Sequence, residues 1–123
     1  MPLAIGVGLA AALGALARFL LDQAVGRRWE SGLPWGTWVI NVSGSFVLGL
    51  VTGLALHHGL SAQVVSLLGT GICGGYTTFS TFSVETVRLA EGGSYAEAAA
   101  NIGGSLVAGL LAAAAGLGLA LVL

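Results

Sequence analysis

Four apolar stretches follow one another with only short connections between them, from about Leu3 to Leu21, Trp35 to Leu56, Ala62 to Val87 and Ala96 to Val122. A hydrocarbon core about 30 Å thick is crossed by roughly 20 apolar residues at about 1.5 Å rise per residue. Each stretch meets that length, so the order predicts an all-α membrane protein, a single domain of four spans over residues 1–123. The connections are Asp22 to Pro34, which holds Arg27, Arg28, Glu30 and Gly32, then a turn around His57-His58-Gly59, then Arg88 to Tyr95. None is long enough to form a domain outside the membrane.

Charge usage agrees. Only 7% of the residues are charged and there is no lysine, whereas a soluble domain carries about 25% charged residues to keep its exterior in water. The exterior therefore suits lipid as its partner. Nucleic acid is excluded as a partner, because a phosphate binder needs a basic patch and the only adjacent basic pair is Arg27-Arg28. A single cysteine, Cys73, permits neither an intrachain disulfide nor a thiol-rich metal motif. The start, Met1-Pro2-Leu3, lacks a basic run before the first apolar stretch, so that stretch is expected to stay in the membrane rather than be cleaved as a signal. The expected location is the inner or plasma membrane, with multiple crossings.

An even number of spans places both termini and the His57-His58 turn on one side. The basic residues near span ends, Arg27, Arg28 and Arg88, then all lie on the other. Positive charge favours the cytoplasmic face. Three residues partly offset by neighbouring acids are a small bias, and insertion in both orientations stays open.

Glycine is frequent, at 21 residues, and its placement is ordered. Gly6, Ala10 and Gly14 recur every fourth residue in the first span, Ser45, Gly49 and Gly53 in the second, and Ser105, Gly109 and Ala113 in the fourth. Small residues four apart share a helix face, and in lipid they let backbones approach closely enough for van der Waals attraction to hold helices together.

Polar groups inside spans need reasons, because each is expensive in hydrocarbon without a partner. Arg18 lies near the end of the first span, where it can snorkel to the interface or attract anions. Thr37, Asn41 and Ser45 form a polar track on one face of the second span, and Asn101 and Ser105 form a shorter one in the fourth. Hydrogen bonding between helices and the lining of a pore both fit those tracks. His57 and His58 read as loop residues.

The third span carries the strongest signal, Gly71-Ile72-Cys73-Gly74-Gly75-Tyr76-Thr77-Thr78-Phe79-Ser80-Thr81-Phe82-Ser83. Gly is less favourable than Ala in a helix by about 1 kcal/mol, and Ser and Thr hydroxyls compete for backbone partners. The helix is therefore expected to break here. Irregular backbone at membrane depth is tolerated only where it is buried in protein or lines a wet cavity. Freed carbonyls with Thr hydroxyls suit a small hard cation such as Na⁺, and freed amides with aromatic edges suit an anion. Phe79 and Phe82, three apart, share a face once the helix resumes, and a ring edge carries partial positive charge, although two Phe at this spacing also read as core. Glu85, near the end of the span, fits a proton carrier or an interfacial acid beside Arg88.

The run Gly36-Thr37-Trp38-Val39-Ile40-Asn41-Val42-Ser43-Gly44-Ser45-Phe46, followed by Gly71 to Ser83, resembles the paired signature of the CrcB/Fluc fluoride channels, and the likeness covers essentially the whole chain. The resemblance implies an antiparallel, dual-topology dimer with two fluoride pores and a structural Na⁺ at the dimer centre, held by carbonyls of Gly74 and Thr77. It implies a homodimer, with pairing to a paralogue as the alternative. By the same resemblance Phe79 and Phe82 turn their ring edges toward fluoride, Asn41 belongs to the fluoride path, and Thr37 and Ser105 belong to its polar track. Thr78, Ser80 and Thr81 of the hydroxyl-rich run are placed with that pore, and Glu85 and Arg18 near it or its vestibule. Asn101 stands where some relatives carry Tyr, and Gly109 where some carry Ser, so the fourth-span track is thinner or more hydrated here.

The expected activity is passive export of fluoride, relieving its toxicity. Fluoride is small and strongly hydrated, so a pore must replace its water with hydrogen-bond donors while staying too narrow for chloride. Nothing in the sequence resembles a nucleophile, metal-water or acid–base constellation, so no enzyme is expected. The main rival is a four-span proton-coupled multidrug or cation transporter. Such a protein needs an acid in its first span, which here has none before Asp22. A purely structural subunit would leave both polar tracks and the third span unexplained.

Overall fold

The computed structural model describes residues 2–29 and 32–123, and Met1 and Glu30 of the sequence reading lie outside them. All regular structure among the described residues is helical. In order, the elements are α1 (Pro2–Arg28), α2 (Trp35–His58), α3 (Ala62–Val65), a π-helical stretch (Ser66–Cys73), α4 (Gly74–Tyr76), α5 (Ser80–Glu91) and α6 (Tyr95–Val122). Three of these, α1, α2 and α6, are long and apolar enough to cross a membrane. The first helix continues well beyond Leu21, because Asp22 to Arg28 contains no proline and places two arginines in the last turn, where they complement the helix dipole.

His57 and His58 are not loop residues. They form the last turn of α2, which ends at Gly59, whose left-handed φ of 67° lets its amide turn back to the Leu54 carbonyl. His58 Nε2 then lies 2.7 Å from the Ala120 carbonyl near the end of α6. Hence α2 and α6 finish at the same end of the molecule.

The two helices run parallel, and the small-residue faces read from the sequence, extended by Gly116 and Ala120, form their seam. A side chain at Gly49 would fall on the Ala113 carbonyl, one at Gly53 on the Ala120 methyl, and one at Gly116 on the Phe46 carbonyl. The first-span face serves a different partner. Ala10, Ala11 and Gly14 lie against Gly71, Gly75 and the Ile72 carbonyl of the third segment. Ile40 is the largest fully buried side chain among the described residues, and most leucines face outward. The fold is held by backbone proximity rather than by a core of large side chains, as expected where the surrounding medium is itself apolar.

The interruption of the third segment falls at Thr77–Phe79, after the glycines rather than among them. Gly71 lies in the π-helical stretch, and Gly74 and Gly75 lie in α4. Tertiary packing overrides their low helix propensity, since only glycine lets the turns at Gly71 and Gly75 close on α1. The π stretch, with its wider i→i+5 turns, was not foreseen, and such segments concentrate at functional sites.

Candidate functional site

The site begins with the lost helical bond. Thr77 N still donates to the Cys73 carbonyl at 2.9 Å, the last regular α bond of the first half. In a continuing helix Thr78 N would donate to the Gly74 carbonyl. Instead it donates to Asn41 Oδ1 at 2.8 Å, and Asn41 Nδ2 donates to the Thr78 carbonyl at 2.8 Å. The amide side chain of α2 thus replaces a stretch of backbone ladder, satisfying a donor and an acceptor that the break would leave bare. Gly74, an exposed residue, has its carbonyl released from that α-helical partner.

Thr78, 8% exposed, also starts the next helix. Its Oγ1 accepts from Thr81 N at 3.1 Å, the bond by which a capping side chain satisfies an orphan amide of the first turn. The same Oγ1 lies 3.1 Å from Thr81 Oγ1 and 3.3 Å from Ser80 Oγ. Ser80 and Thr81 are exposed, and their hydroxyls cluster around this cap. Ser83 and Thr86 hydroxyls donate to carbonyls four residues earlier, Phe79 and Phe82, each at 2.8 Å.

A groove of about 500 Å³ opens beside the break. It is lined by Asn41, Ser45, Gly74, Thr77, Thr78, Phe79, Phe82 and Ser105 of the residues singled out in the sequence, together with Cys73 and apolar side chains such as Leu48, Ile102 and Leu106. Phe79 and Phe82 face one another with ring centroids 5.9 Å apart and planes at 42°. Phe79 is 79% exposed, so one wall of the groove is an aromatic ring turned outward from the chain.

Five residues expected at the pore lie outside this groove. Ser80 and Thr81 belong to the cap. Thr37, 3% exposed, donates to Glu85 Oε1 at 2.9 Å. Glu85 Oε2 is buried without a hydrogen-bond partner among the described residues. This carboxyl borders a separate cavity of about 330 Å³ with Leu33, Pro34, Arg88 and Ser94, at the end of the molecule where the first and third connections meet. Arg18 reaches the break from behind, with Nη1 3.4 Å from the Thr77 carbonyl. The α6 track is intact: Asn101, 4% exposed, donates to Thr86 Oγ1 at 2.9 Å and accepts from Ser105 Oγ at 3.5 Å, which bridges α5 to α6.

Two contributors were missed by the sequence reading. Ser43 donates to the Ile40 carbonyl at 3.1 Å and lies 2.8 Å from Tyr76 Oη. Its single proton is committed to Ile40, so Tyr76 is the donor in the second bond. The available signal was a Ser in the second span placed off the Thr37–Asn41–Ser45 face, with a Tyr immediately before the hydroxyl run.

Comparison with known proteins adds independent findings. A family model described as CrcB-like protein, camphor resistance, matches residues 5–117. The chain is 53% identical to the fluoride-specific ion channel FluC 2 of Cutibacterium acnes over 114 residues, covering 92% of this chain and 93% of that one. It is 51% identical to the fluoride-specific ion channel FluC 1 of Frankia casuarinae over 115 residues, 89% of each chain. It is also 45% identical to the fluoride-specific ion channel FluC 2 of Mycobacterium tuberculosis over 112 residues, 91% of this chain and 86% of that one.

Proposed function

This chain belongs to the CrcB-like family, and from that premise we propose that it is a fluoride-specific ion channel of the cell membrane, passing fluoride passively and so relieving its toxicity. The observation that carries the reading is the groove at the break, which gathers Asn41, Ser45, Thr77, Thr78, Phe79, Phe82 and Ser105 along one wall of the molecule. Asn41 Nδ2 spends one of its two protons on the Thr78 carbonyl, which leaves the second to replace water around a small anion, and the neighbouring Phe edges offer partial positive charge. On this reading chloride, the larger ion, is rejected by size once the open side of the groove is closed. The alternative of a proton-coupled transporter has no comparable support.

The third segment makes a fourth crossing, with its two halves joined at Thr77–Phe79. The outward face of Phe79 and the exposed Gly74 support a second copy of the chain, packed antiparallel, which closes the open side of the groove. Pairing with a paralogue would serve the same end. Glu85, Thr37 and Arg18 act at the approaches to the pore rather than within it. Ser80 and Thr81 act through the cap that orients Phe79 and Phe82.

A structural Na⁺ at the subunit contact suits the donor set. The Gly74 carbonyl is freed by the diversion of Thr78 N to Asn41, and the Thr77 carbonyl keeps a second lone pair beside its contact with Arg18. Gly74 and Thr77 would hold the ion, and it would supply a fixed positive charge that ties the two breaks together. The chain's own residues set the backbone angle at which those oxygens are presented.

The test is efflux from liposomes loaded with fluoride and chloride, using the chain expressed alone. Rapid release of fluoride without ATP or a proton gradient, with chloride retained, is the expected result. Fluoride release that strictly requires a proton gradient would reject the channel.

A further inference from the structure

The stretch Tyr76-Thr77-Thr78 does not simply end a helix. It straddles α2. Thr77 is extended, at φ −78° and ψ 160°, directly after the last helical residue, Tyr76. Around α2, Asn41 and Ser43 are two positions apart, and at 3.6 residues per turn they point roughly 200° apart, to opposite flanks. The flank of Asn41 receives the Thr78 backbone through two bonds of 2.8 Å. The flank of Ser43 receives the Tyr76 phenol at 2.8 Å. Between them Thr77 Cγ2 lies against Gly44, where any side chain would collide with it.

From this arrangement we infer that Ser43 and Tyr76 are positioning residues of the ion site, a second tether that fixes the backbone angle of Thr77 together with Asn41. Neither lines the groove. The Gly75 turn is held on α1 and the Thr78 backbone on Asn41. The Ser43–Tyr76 bond adds a hold from the other flank of α2, close to the residue whose carbonyl angle matters. The Ser43 hydroxyl is prepared for this role, since its proton is spent on Ile40 and its lone pairs face the phenol. The inference rests on the reading that Thr77 and Gly74 present oxygens to Na⁺.

The experiment titrates sodium chloride against N-methylglucamine chloride, at constant ionic strength, over the full-length purified protein. Fluoride efflux from liposomes and the thermal unfolding midpoint in detergent are read in parallel. Tyr76→Phe and Ser43→Ala are each expected to raise the sodium concentration giving half-maximal effect by about fivefold, the equivalent of one ordinary hydrogen bond. The double variant should be no worse than the poorer single one, because both remove the same bond. Ser43→Thr should restore the wild-type midpoint. Thr52→Ala, which deletes an exposed hydroxyl bonded only within α2, should leave it unchanged. A residue that merely stabilises the fold would lower the yield of active protein without moving the sodium midpoint. Unchanged midpoints in both single variants, with a clear sodium effect in the wild type, would overturn the inference. Wild-type protein indifferent to sodium in both readouts would overturn the sodium reading, and this inference with it. Should Tyr76→Phe fail to assemble, Ser43→Ala decides the matter, since it removes one oxygen and no volume from the ring.

Discussion

The C-terminal half of α2, around Gly49 and Gly53, meets α6 through bare backbone, whereas its N-terminal half, from Thr37 to Ser45, meets the third segment through side-chain hydrogen bonds. One helix therefore uses two kinds of adhesion. The glycine seam gains from many weak dispersion contacts that require only closeness. The polar half gains from few directional bonds, and those of Asn41 stand in for backbone pairing that the interrupted segment has given up. The difference shows where the protein tolerates irregularity. The irregular backbone is concentrated where α2 offers amide and hydroxyl groups to receive it.

The contrast can be broken most severely at the seam. Gly49→Val places branched carbon on the Ala113 carbonyl, and overpacking a tight contact costs about 1–3 kcal/mol or more. Loss of monodisperse protein on size exclusion and loss of all flux are expected together. At the polar end the two readouts should separate. Asn41→Asp removes the donor to the Thr78 carbonyl, and Phe82→Ile removes a ring that faces the groove. Both should abolish fluoride efflux while the protein stays assembled, and persisting wild-type flux would take those residues out of the pore. Thr78→Val deletes the cap on Thr81 N, and a lost cap costs about 0.5–2 kcal/mol. A lower unfolding midpoint and reduced flux are expected, with Thr78→Ser close to wild type on both. The smallest change is Ser83→Ala, which removes an exposed hydroxyl bonded to the Phe79 carbonyl. Its effect on the unfolding midpoint should correspond to about 0.5 kcal/mol or less.

Much of this organisation is legible in the residues, for physical reasons that differ by region. Long apolar runs report helices directly, because the membrane imposes both their length and their hydrogen bonding. The glycine and alanine faces of α2 and α6 were legible because a four-residue repeat defines a face whatever its partner. Which partner each face takes was not, and the first-span face turned out to serve the third segment. A break was readable over Gly71 to Ser83, but its place at Thr77–Phe79 was not, because Gly71 and Gly75 are held in helical turns against α1. The π stretch also lies against α1, at Gly71, and has no local signature. Among site residues, the groove collects those on the Asn41–Ser45 face and around the two Phe rings. Thr37 shares that face but lies a turn beyond the groove, against Glu85, and Arg18 comes from another helix; sequence spacing within one segment says nothing of where, or at what angle, another segment crosses it. Ser43 escaped notice for that reason: its value is set by Tyr76, a residue 33 positions away.

The seam between α2 and α6 carries a consequence for how such a sequence can drift. At Gly49, Gly53 and Gly116 there is no side chain to trim, so every substitution adds volume and none can relieve it. Variation at those places runs in one direction only, toward collision. The outward leucines have the opposite freedom, since lipid accepts one hydrocarbon shape as readily as another. Change should therefore accumulate on the outside of the bundle and stay rare along a line only one atom wide.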